Sequence, residues 1–210
     1  MATPAQQAAN DAARKAAQKA AREAGGRSPL LRLAPFHAYA DPVCALKDRR
    51  LVELHEYWRG KRQIAPIPAR GDIHPRDFKP HLPRVFMIDA LPDGSFAFRL
   101  AGTAIVDLFG CEPTGKSLST ALGPQAARLA SAVFTAVVEY GRPMRTLGAM
   151  DWWTPPERAS FEAPAYDLSH MTFEAVHLPL SPDGAAVDMI LCALVAYSGE
   201  DQPQFPEISG

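Results

Sequence analysis

Three charged residues, Arg70, Asp72 and Arg99, could form an internal network. A guanidinium group can hold a carboxylate through two parallel hydrogen bonds, and the Arg70-Gly71-Asp72 loop needs side-chain partners for its backbone groups. The network could pin this loop onto the strand that carries Arg99, or an arginine could hold an acidic ligand inside the fold. We expect the structural role for Arg70 and Asp72, and Arg99 is the candidate polar anchor for a ligand.

Residue types that bind metals are present, but their spacing does not match a metal site. The histidines are His37, His55, His74, His81, His170 and His177. No two of them are spaced i, i+4, and no cysteine or carboxylate cluster completes a site, so we expect no metal centre. A haem bound through one histidine is not expected, and no cofactor is required.

Catalytic residues are likewise not indicated. No serine lies in the Gly-x-Ser-x-Gly frame of a nucleophile elbow. An isomerase that uses Asp89 or Asp107 beside Tyr57 is the remaining enzymatic alternative, and a strongly raised carboxyl pKa inside a cavity would support it. Asp89 has an ordinary role at a turn after a strand. We therefore expect that the chain is not an enzyme.

The composition is that of one ordinary globular domain. The chain has 210 residues, of which 47% are hydrophobic and 21% charged, with a formal net charge of -1. Cys44, Cys111 and Cys192 form no Cys-x-x-Cys pair, so neither a disulfide framework nor a zinc site is indicated. No run reaches the roughly 18 apolar residues of a membrane span, and no secretory signal is recognised, so a cytoplasmic protein is expected.

Charge is divided unevenly along the chain. Residues 1–84 carry 16 Lys and Arg against 8 Asp and Glu, whereas residues 85–210 carry 6 against 15. A basic half could bind nucleic acid, but its basic residues are not interleaved with aromatic residues as in a single-strand-binding groove. Charge complementarity between a helical N-terminal layer and the rest of the fold is the favoured interpretation.

Four segments divide the chain. Residues 1–27 are rich in alanine and predict a helical extension that gains order only against the body or a second subunit. Residues 28–42 predict a linker, because three prolines interrupt them. Residues 43–200 form the predicted domain, and residues 201–210 form a flexible tail.

The predicted domain begins with helical periodicity and then alternates between strands and helices. Apolar spacing predicts helices over 43–58, 104–109 and 124–140. Strands are predicted over 84–89, 95–100, 143–150, 173–180 and 186–197. Asp93-Gly94 and Asp183-Gly184 supply hairpin turns. An α+β fold follows, with a five-stranded antiparallel sheet and helices on one face.

Several motifs resemble those of one family, and they occur in its order. They are Tyr57-Trp58, Asp72-Ile73-His74-Pro75, Leu82-Pro83-Arg84-Val85-Phe86, the segment from Phe98 to Val106, and the segment from Leu178 to Gly184. Over about residues 50–197 the chain resembles a family of stand-alone bacterial PAS proteins. The resemblance implies a PAS fold and a sensor or signalling adaptor whose output is a partner protein. It supplies no catalytic residue and no cofactor.

A PAS fold implies a cavity between the sheet and the short helices, where a small, partly apolar metabolite would bind. The residues expected to face it are Phe86, Ile88, Phe98, Arg99, Ile105, Leu108, Phe109 and Leu191. Ligand binding would favour one packing of the N-terminal helix over another, and a protein partner would read the change. A homodimer is expected, and membrane association is not.

A ligand-free docking module is the alternative function. Tyr57 and Trp58 point about 100° apart on their helix, so one can face the core while the other faces a partner. Trp152 and Trp153 belong to an aromatic-rich connection that could close over the cavity or cover a sheet edge. This module would dimerise or dock a partner through the sheet face and the N-terminal helix, and an exposed apolar sheet face would indicate it.

Overall fold

The computed structural model describes residues 30–62, 65–151 and 168–199. The strands are β1 (Leu31–Arg32), β2 (Ala38–Asp41), β3 (Val85–Ala90), β4 (Phe96–Ala101), β5 (Met144–Ala149), β6 (Thr172–Leu180) and β7 (Met189–Tyr197). The α-helices in these residues are α1 (Arg49–Lys61), α2 (Thr103–Phe109) and α3 (Leu118–Tyr140). Short 3-10 helices span Arg70–Asp72, Pro75–Arg84 and Leu168–His170.

The strands form a single antiparallel sheet in the order β1-β2-β5-β6-β7-β3-β4. β6 and β7 pair along their whole length, from Thr172 opposite Tyr197 to Leu180 opposite Met189. Nearly all residues of these two strands are buried, because both faces of the sheet are covered. The predicted α+β fold is confirmed, and the sheet has seven strands where five were expected.

Each face of the sheet carries its own apolar core. On one face, α2 and α3 pack over a core that includes Phe86 and Phe134. On the opposite face, α1 packs through Leu51, Leu54 and Trp58, which are almost fully buried. The sequence prediction placed the helices on one face, whereas α1 covers the other. Its apolar stripe requires a partner surface, and the outward side chains of β6 and β7 provide it.

Strands β1 and β2 lie where a linker was predicted. β2 pairs with β5 from Ala38 opposite Gly148 to Asp41 opposite Arg145. Gly148 has a φ of 142°, and a Cβ atom there would lie 2.2 Å from the carbonyl oxygen of His37, so glycine allows this close approach. The prolines of this segment stand between and beyond the two strands, so they are compatible with short strand pairing. The expected extension (1–27) and tail (201–210) lie outside the described residues.

The helices end largely where the sequence predicts. Asp48 caps α1 by accepting a hydrogen bond from the backbone nitrogen of Arg50. α2 and α3 end at Gly110 (φ 65°) and Gly141 (φ 58°), in the left-handed conformation that glycine adopts at little cost. α3 is broken at Gly123, whose φ of 76° is not helical, and the helix restarts at the following proline.

α3 is long and apolar enough to cross a membrane by length and composition. Its apolar residues nevertheless pack against the sheet, where Val133, Phe134 and Val137 are buried. The core helix of a globular protein can have the same length and composition, and α3 occupies the position of a core helix.

The start of α2 is held against the segment that precedes β3. A Cβ atom at Gly102 would lie 2.1 Å from the carbonyl oxygen of Leu82 and 2.5 Å from that of Pro83. The backbone nitrogen of Gly102 also donates a hydrogen bond to the Val85 oxygen at 2.7 Å. This close backbone contact fixes the position of α2 and therefore that of Phe109, at its end.

Candidate ligand-binding cavity

A cavity of about 60 Å³ lies between the sheet and the helices α2 and α3. The residues that line it are Leu33, Phe86, Phe98, Phe109, Leu122, Ala126, Leu129, Ala130, Val133, Phe134, Thr146, Phe173, Ala175, His177 and Leu194. Five of them are phenylalanines, and His177 is the one ionisable residue among them. The cavity is therefore an aromatic and aliphatic chamber with a small polar part.

Backbone periodicity brings these side chains together. Alternation along β6 points Phe173, Ala175 and His177 to the same face of the sheet. On α3, cavity-lining residues recur at spacings of three and four, including Ala126 and Ala130. The space exists because alanines stand at positions where larger side chains would fill it.

The polar part of the cavity consists of Thr146 and His177. The hydroxyl of Thr146 lies 2.9 Å from Nε2 of His177, and Nδ1 of His177 lies 3.3 Å from Sγ of Cys192 on the neighbouring strand. The ring of Phe134 meets the imidazole edge-on, with 5.4 Å between ring centres. Burial lowers the pKa of His177 to about 3, so this imidazole is neutral near neutral pH.

The residues expected to face a ligand occupy several different positions. Phe86, Phe98 and Phe109 line the cavity. Three others, Ile88, Ile105 and Leu108, are buried in the core that surrounds it but are not among the lining residues. Whether any of these residues contacts a ligand stays a prediction.

Arg99 and Leu191 do not face the cavity, which corrects their predicted placement. Arg99 is the extra residue of a β-bulge on β4, because Met87 pairs with Leu100 and Ile88 pairs with Phe98. Its side chain is 52% exposed, and its Nε lies 2.6 Å from Oδ1 of Asp89. Leu191 belongs to the core beneath α1, because its neighbours Ile190 and Cys192 take the cavity side of β7. The polar side chains that line the cavity among the described residues are those of Thr146 and His177.

Arg70 and Asp72 do not join Arg99, which pairs with Asp89 instead, so these contacts do not pin the loop onto β4. The Arg70 guanidinium donates to the carbonyl oxygen of Ile73 at 3.0 Å, and the Asp72 carboxylate accepts from the backbone nitrogen of Ala69 at 2.9 Å. Both side chains stabilise their own turn. The loop satisfies its backbone locally because the two side chains lie within hydrogen-bonding reach of it.

Tyr57 and Trp58, near the end of α1, point in different directions, as expected for adjacent residues on a helix. Trp58 is 1% exposed, and its indole nitrogen donates to the carbonyl oxygen of Pro179 at 2.9 Å. Trp58 is therefore part of the domain's own core rather than a docking residue. Tyr57 is half-buried, and its hydroxyl accepts a hydrogen bond from the backbone nitrogen of His74 at 2.8 Å. Trp152 and Trp153 lie outside the described residues.

A buried charge cluster that the sequence prediction missed lies on the face opposite the cavity. Asp41 and Glu174 are fully buried, and the Arg145 side chain is 5% exposed. Arg145 Nε lies 2.5 Å from Glu174 Oε1, and its Nη1 lies 3.3 Å from Asp41 Oδ2. Four backbone N–H groups, at residues 43, 45, 47 and 48, also donate to the two carboxylates. The cluster fastens the segment between β2 and α1 to the sheet.

A second group of polar residues extends this anchorage. The Asp48 carboxylate accepts hydrogen bonds from the Arg50 guanidinium and from the Tyr197 hydroxyl at 2.8 Å. Burial alone would raise the pKa of Asp48, but the hydrogen bonds from Arg50 and Tyr197 outweigh burial and lower this pKa to about 2. Burial and the bond to Asp48 raise the pKa of Tyr197. The start of α1 is thus tied to the end of β7.

The residues of the enzymatic alternative do not meet. Asp107 is exposed, Asp89 pairs with Arg99, and the Tyr57 hydroxyl lies 3.2 Å from Oδ2 of Asp77. No carboxylate lines the cavity among the described residues. Within the same three ranges, no group of His, Cys, Asp and Glu is arranged to hold a metal ion.

The buried imidazole predicts a pH-dependent stability. Between pH 6.5 and about 3, unfolded His177 binds a proton that folded His177 does not, so the free energy of unfolding should fall as pH falls. The slope is about 1.4 kcal/mol per pH unit, or roughly 2 kcal/mol between pH 7 and pH 5. Urea denaturation at pH 7, 6 and 5 measures it for the wild type and for His177→Gln, which should lack this component.

His55 provides the control, because burial also lowers the pKa of its half-buried ring. The His55→Gln variant should retain most of the wild-type slope. Equal slopes in the wild type and His177→Gln would contradict a buried neutral imidazole.

Family comparison agrees with this architecture. The PAS domain family model matches residues 46–195, from just before α1 to near the end of β7. Comparison with proteins of curated function finds no match. PAS domains act generally as signal-sensing or interaction modules. The matched span covers well over half of the chain and contains nearly all the residues of the cavity, so the chain belongs to the PAS domain family.

Proposed function

We propose that this PAS domain senses a small, largely apolar molecule, which it binds in the cavity between the sheet and helices α2 and α3, and that it signals through protein–protein contacts. The observation that carries the proposal is the cavity itself, in which five phenylalanines surround space that their neighbours leave open. Enclosed apolar pockets with a few polar groups are the usual form of small-molecule sites.

The size of the cavity suggests how binding is reported. An engineered cavity of about 150 Å³ holds benzene, whereas this cavity measures about 60 Å³. A ligand of more than a few heavy atoms must therefore displace part of the wall. α3 is the wall that can move, because the break at Gly123 and Pro124 separates its first turn from the rest. The ligand then stabilises one position of α3 through its differential affinity for the two positions.

The central strands offer little support for a docking module that binds a partner through the sheet face. Both faces of β6 and β7 are buried in the described residues, and Trp58 packs inside the domain. No exposed apolar face remains on these central strands to receive a partner. The cavity therefore favours the sensor function over a ligand-free module.

The test uses toluene as an apolar probe and a variant that fills the cavity. Ala130 lines the cavity, and Ala130→Leu adds three carbon atoms, which would occupy part of the open space. Ala132 lies on the exposed side of the same helix, so Ala132→Leu is the matched control. Toluene should shift the amide resonances of α3 in the wild type and in Ala132→Leu, and should not do so in Ala130→Leu.

Native mass spectrometry of the three purified proteins provides a second readout. A retained molecule should be found in the wild type and in Ala132→Leu but not in Ala130→Leu. If the wild type binds neither toluene nor phenol and retains no molecule, the sensor function is overturned and a ligand-independent interaction module becomes the better account.

A further inference from the structure

We propose that the cavity selects an uncharged ligand that donates a hydrogen bond, through a hydroxyl or N–H group, to Oγ1 of Thr146. The inference rests on the proposed ligand-binding function and names the class of ligand. Two observations support it, the charge of the cavity wall and the hydrogen bonds behind that wall, and from them we infer the direction in which those bonds run.

The wall excludes a charged ligand. Among the described residues its lining has no Asp, Glu, Lys or Arg, and His177 is neutral there. The buried charges of Asp41, Arg145 and Glu174 lie on the opposite face of the sheet and satisfy one another. Moving an unpaired carboxylate or ammonium group from water into such a site is costly, and no partner in the lining offsets that cost.

Thr146, His177 and Cys192 form one hydrogen-bonded chain, and its hydrogens can run in two directions. In the first, the Thr146 hydroxyl donates to Nε2, Nδ1–H donates to Sγ, and the thiol donates to the Ile190 carbonyl oxygen 3.9 Å away. In the second, the thiol donates to Nδ1 and Nε2–H donates to Oγ1 of Thr146. The hydroxyl hydrogen of Thr146 then needs another acceptor.

In the first direction, every hydrogen of the Thr146–His177–Cys192 series has an acceptor. In the second, the Thr146 hydroxyl has no other hydrogen-bond partner among the described residues. A buried donor without an acceptor costs about 1–3 kcal/mol, so the first direction is favoured. It leaves Oγ1 of Thr146 with its own hydrogen committed to Nε2 and with lone pairs free to accept. A ligand that donates a hydrogen bond completes this arrangement.

Three probes of similar size separate the classes. Phenol donates a hydrogen bond, toluene does not, and benzoate carries a charge. Binding to the wild type is followed by amide chemical shifts of the cavity residues. Phenol should bind about fivefold to tenfold more tightly than toluene, the gain expected for one neutral hydrogen bond, and benzoate should bind more weakly than both.

Two variants place the effect at Thr146. In Thr146→Val the phenol and toluene affinities should become equal, and in Thr146→Ser the preference for phenol should return. The nitrogen chemical shifts of His177 should show the proton on Nδ1 in the free protein. Thermal unfolding of each variant establishes that it is folded before binding is compared.

The outcomes distinguish this inference from the function on which it rests. Equal binding of phenol and toluene, or a proton on Nε2, overturns the donor class while the cavity remains a ligand site. Tighter binding of benzoate overturns the uncharged class. If none of the three probes binds, the proposed function and this inference fail together.

Discussion

Replacing Arg145 with methionine should lower the free energy of unfolding by about 3–5 kcal/mol, the typical cost of removing one partner from a buried ion pair. The substitution leaves Asp41 and Glu174, both fully buried, without the cation that lies between them. Their backbone donors remain, but two like charges then share one apolar region. Urea denaturation at pH 7 measures the loss.

Arg99→Met is the matched control, because Arg99 also pairs with an aspartate but is 52% exposed. Exposed pairs contribute about 0–1 kcal/mol, so its loss should be small. Similar effects of the two substitutions would show that the cluster does not anchor the segment before α1.

Replacing Trp58 with alanine should cost about 3–5 kcal/mol, because it leaves a large cavity between α1 and the sheet. Trp58 is 1% exposed and ties α1 to the sheet through the hydrogen bond to Pro179. Trp58→Phe keeps most of the ring volume but leaves the Pro179 carbonyl oxygen without its donor, which should cost about 1–3 kcal/mol.

Tyr140 is the control for this series, since it is also an aromatic residue on a helix but is 44% exposed. Tyr140→Ala should change the free energy of unfolding by no more than about 0.5 kcal/mol, as for other exposed positions. If Trp58→Ala were as mild as Tyr140→Ala, α1 would have to be a detachable element rather than part of the core.

Local signals in the sequence were sufficient for most of the secondary structure. Glycines marked the ends of α2 and α3, because a left-handed residue at a helix end is chemically distinctive. The hairpin turn at Asp93 and Gly94 was equally visible, and Gly94 has the expected positive φ of 83°. The short strands β1 and β2 were missed, because two to four residues between prolines show no readable alternation.

The face that each strand residue occupies was harder to predict. β7 is buried on both sides, so its sequence is apolar throughout and carries no alternation. Leu191 was therefore assigned to the wrong face, and only the pairing with β3 and β6 fixes it. Simple alternation from Phe98 would have placed Arg99 away from the cavity, but a β-bulge that was not predicted interrupts the alternation at Arg99.

The buried polar residues of the two cores were harder to recognise from the sequence than the turns and helix ends. Glu174 and His177 are polar residues in a nine-residue strand that is apolar apart from them and Thr172, which is unusual enough to indicate buried roles. Their spacing of three places them on opposite faces of the sheet. Their partners could not be read from the sequence, since Arg145 lies 29 positions from Glu174, and Cys192 lies 15 positions from His177.

The three free cysteines can report local opening of the fold, because the reaction rate of each thiol depends on its exposure. Cys111 and Cys192 are buried and Cys44 is half-buried. Burial raises the pKa of all three thiols, that of Cys44 to about 12. Alkylating reagents attack the thiolate, so modification of the buried Cys111 and Cys192 must await a local opening of the fold, and an opening should accelerate that of the half-buried Cys44. The modification rate of Cys44 would thus measure how often the segment before α1 detaches, and that of Cys192 would measure how often the central strands separate.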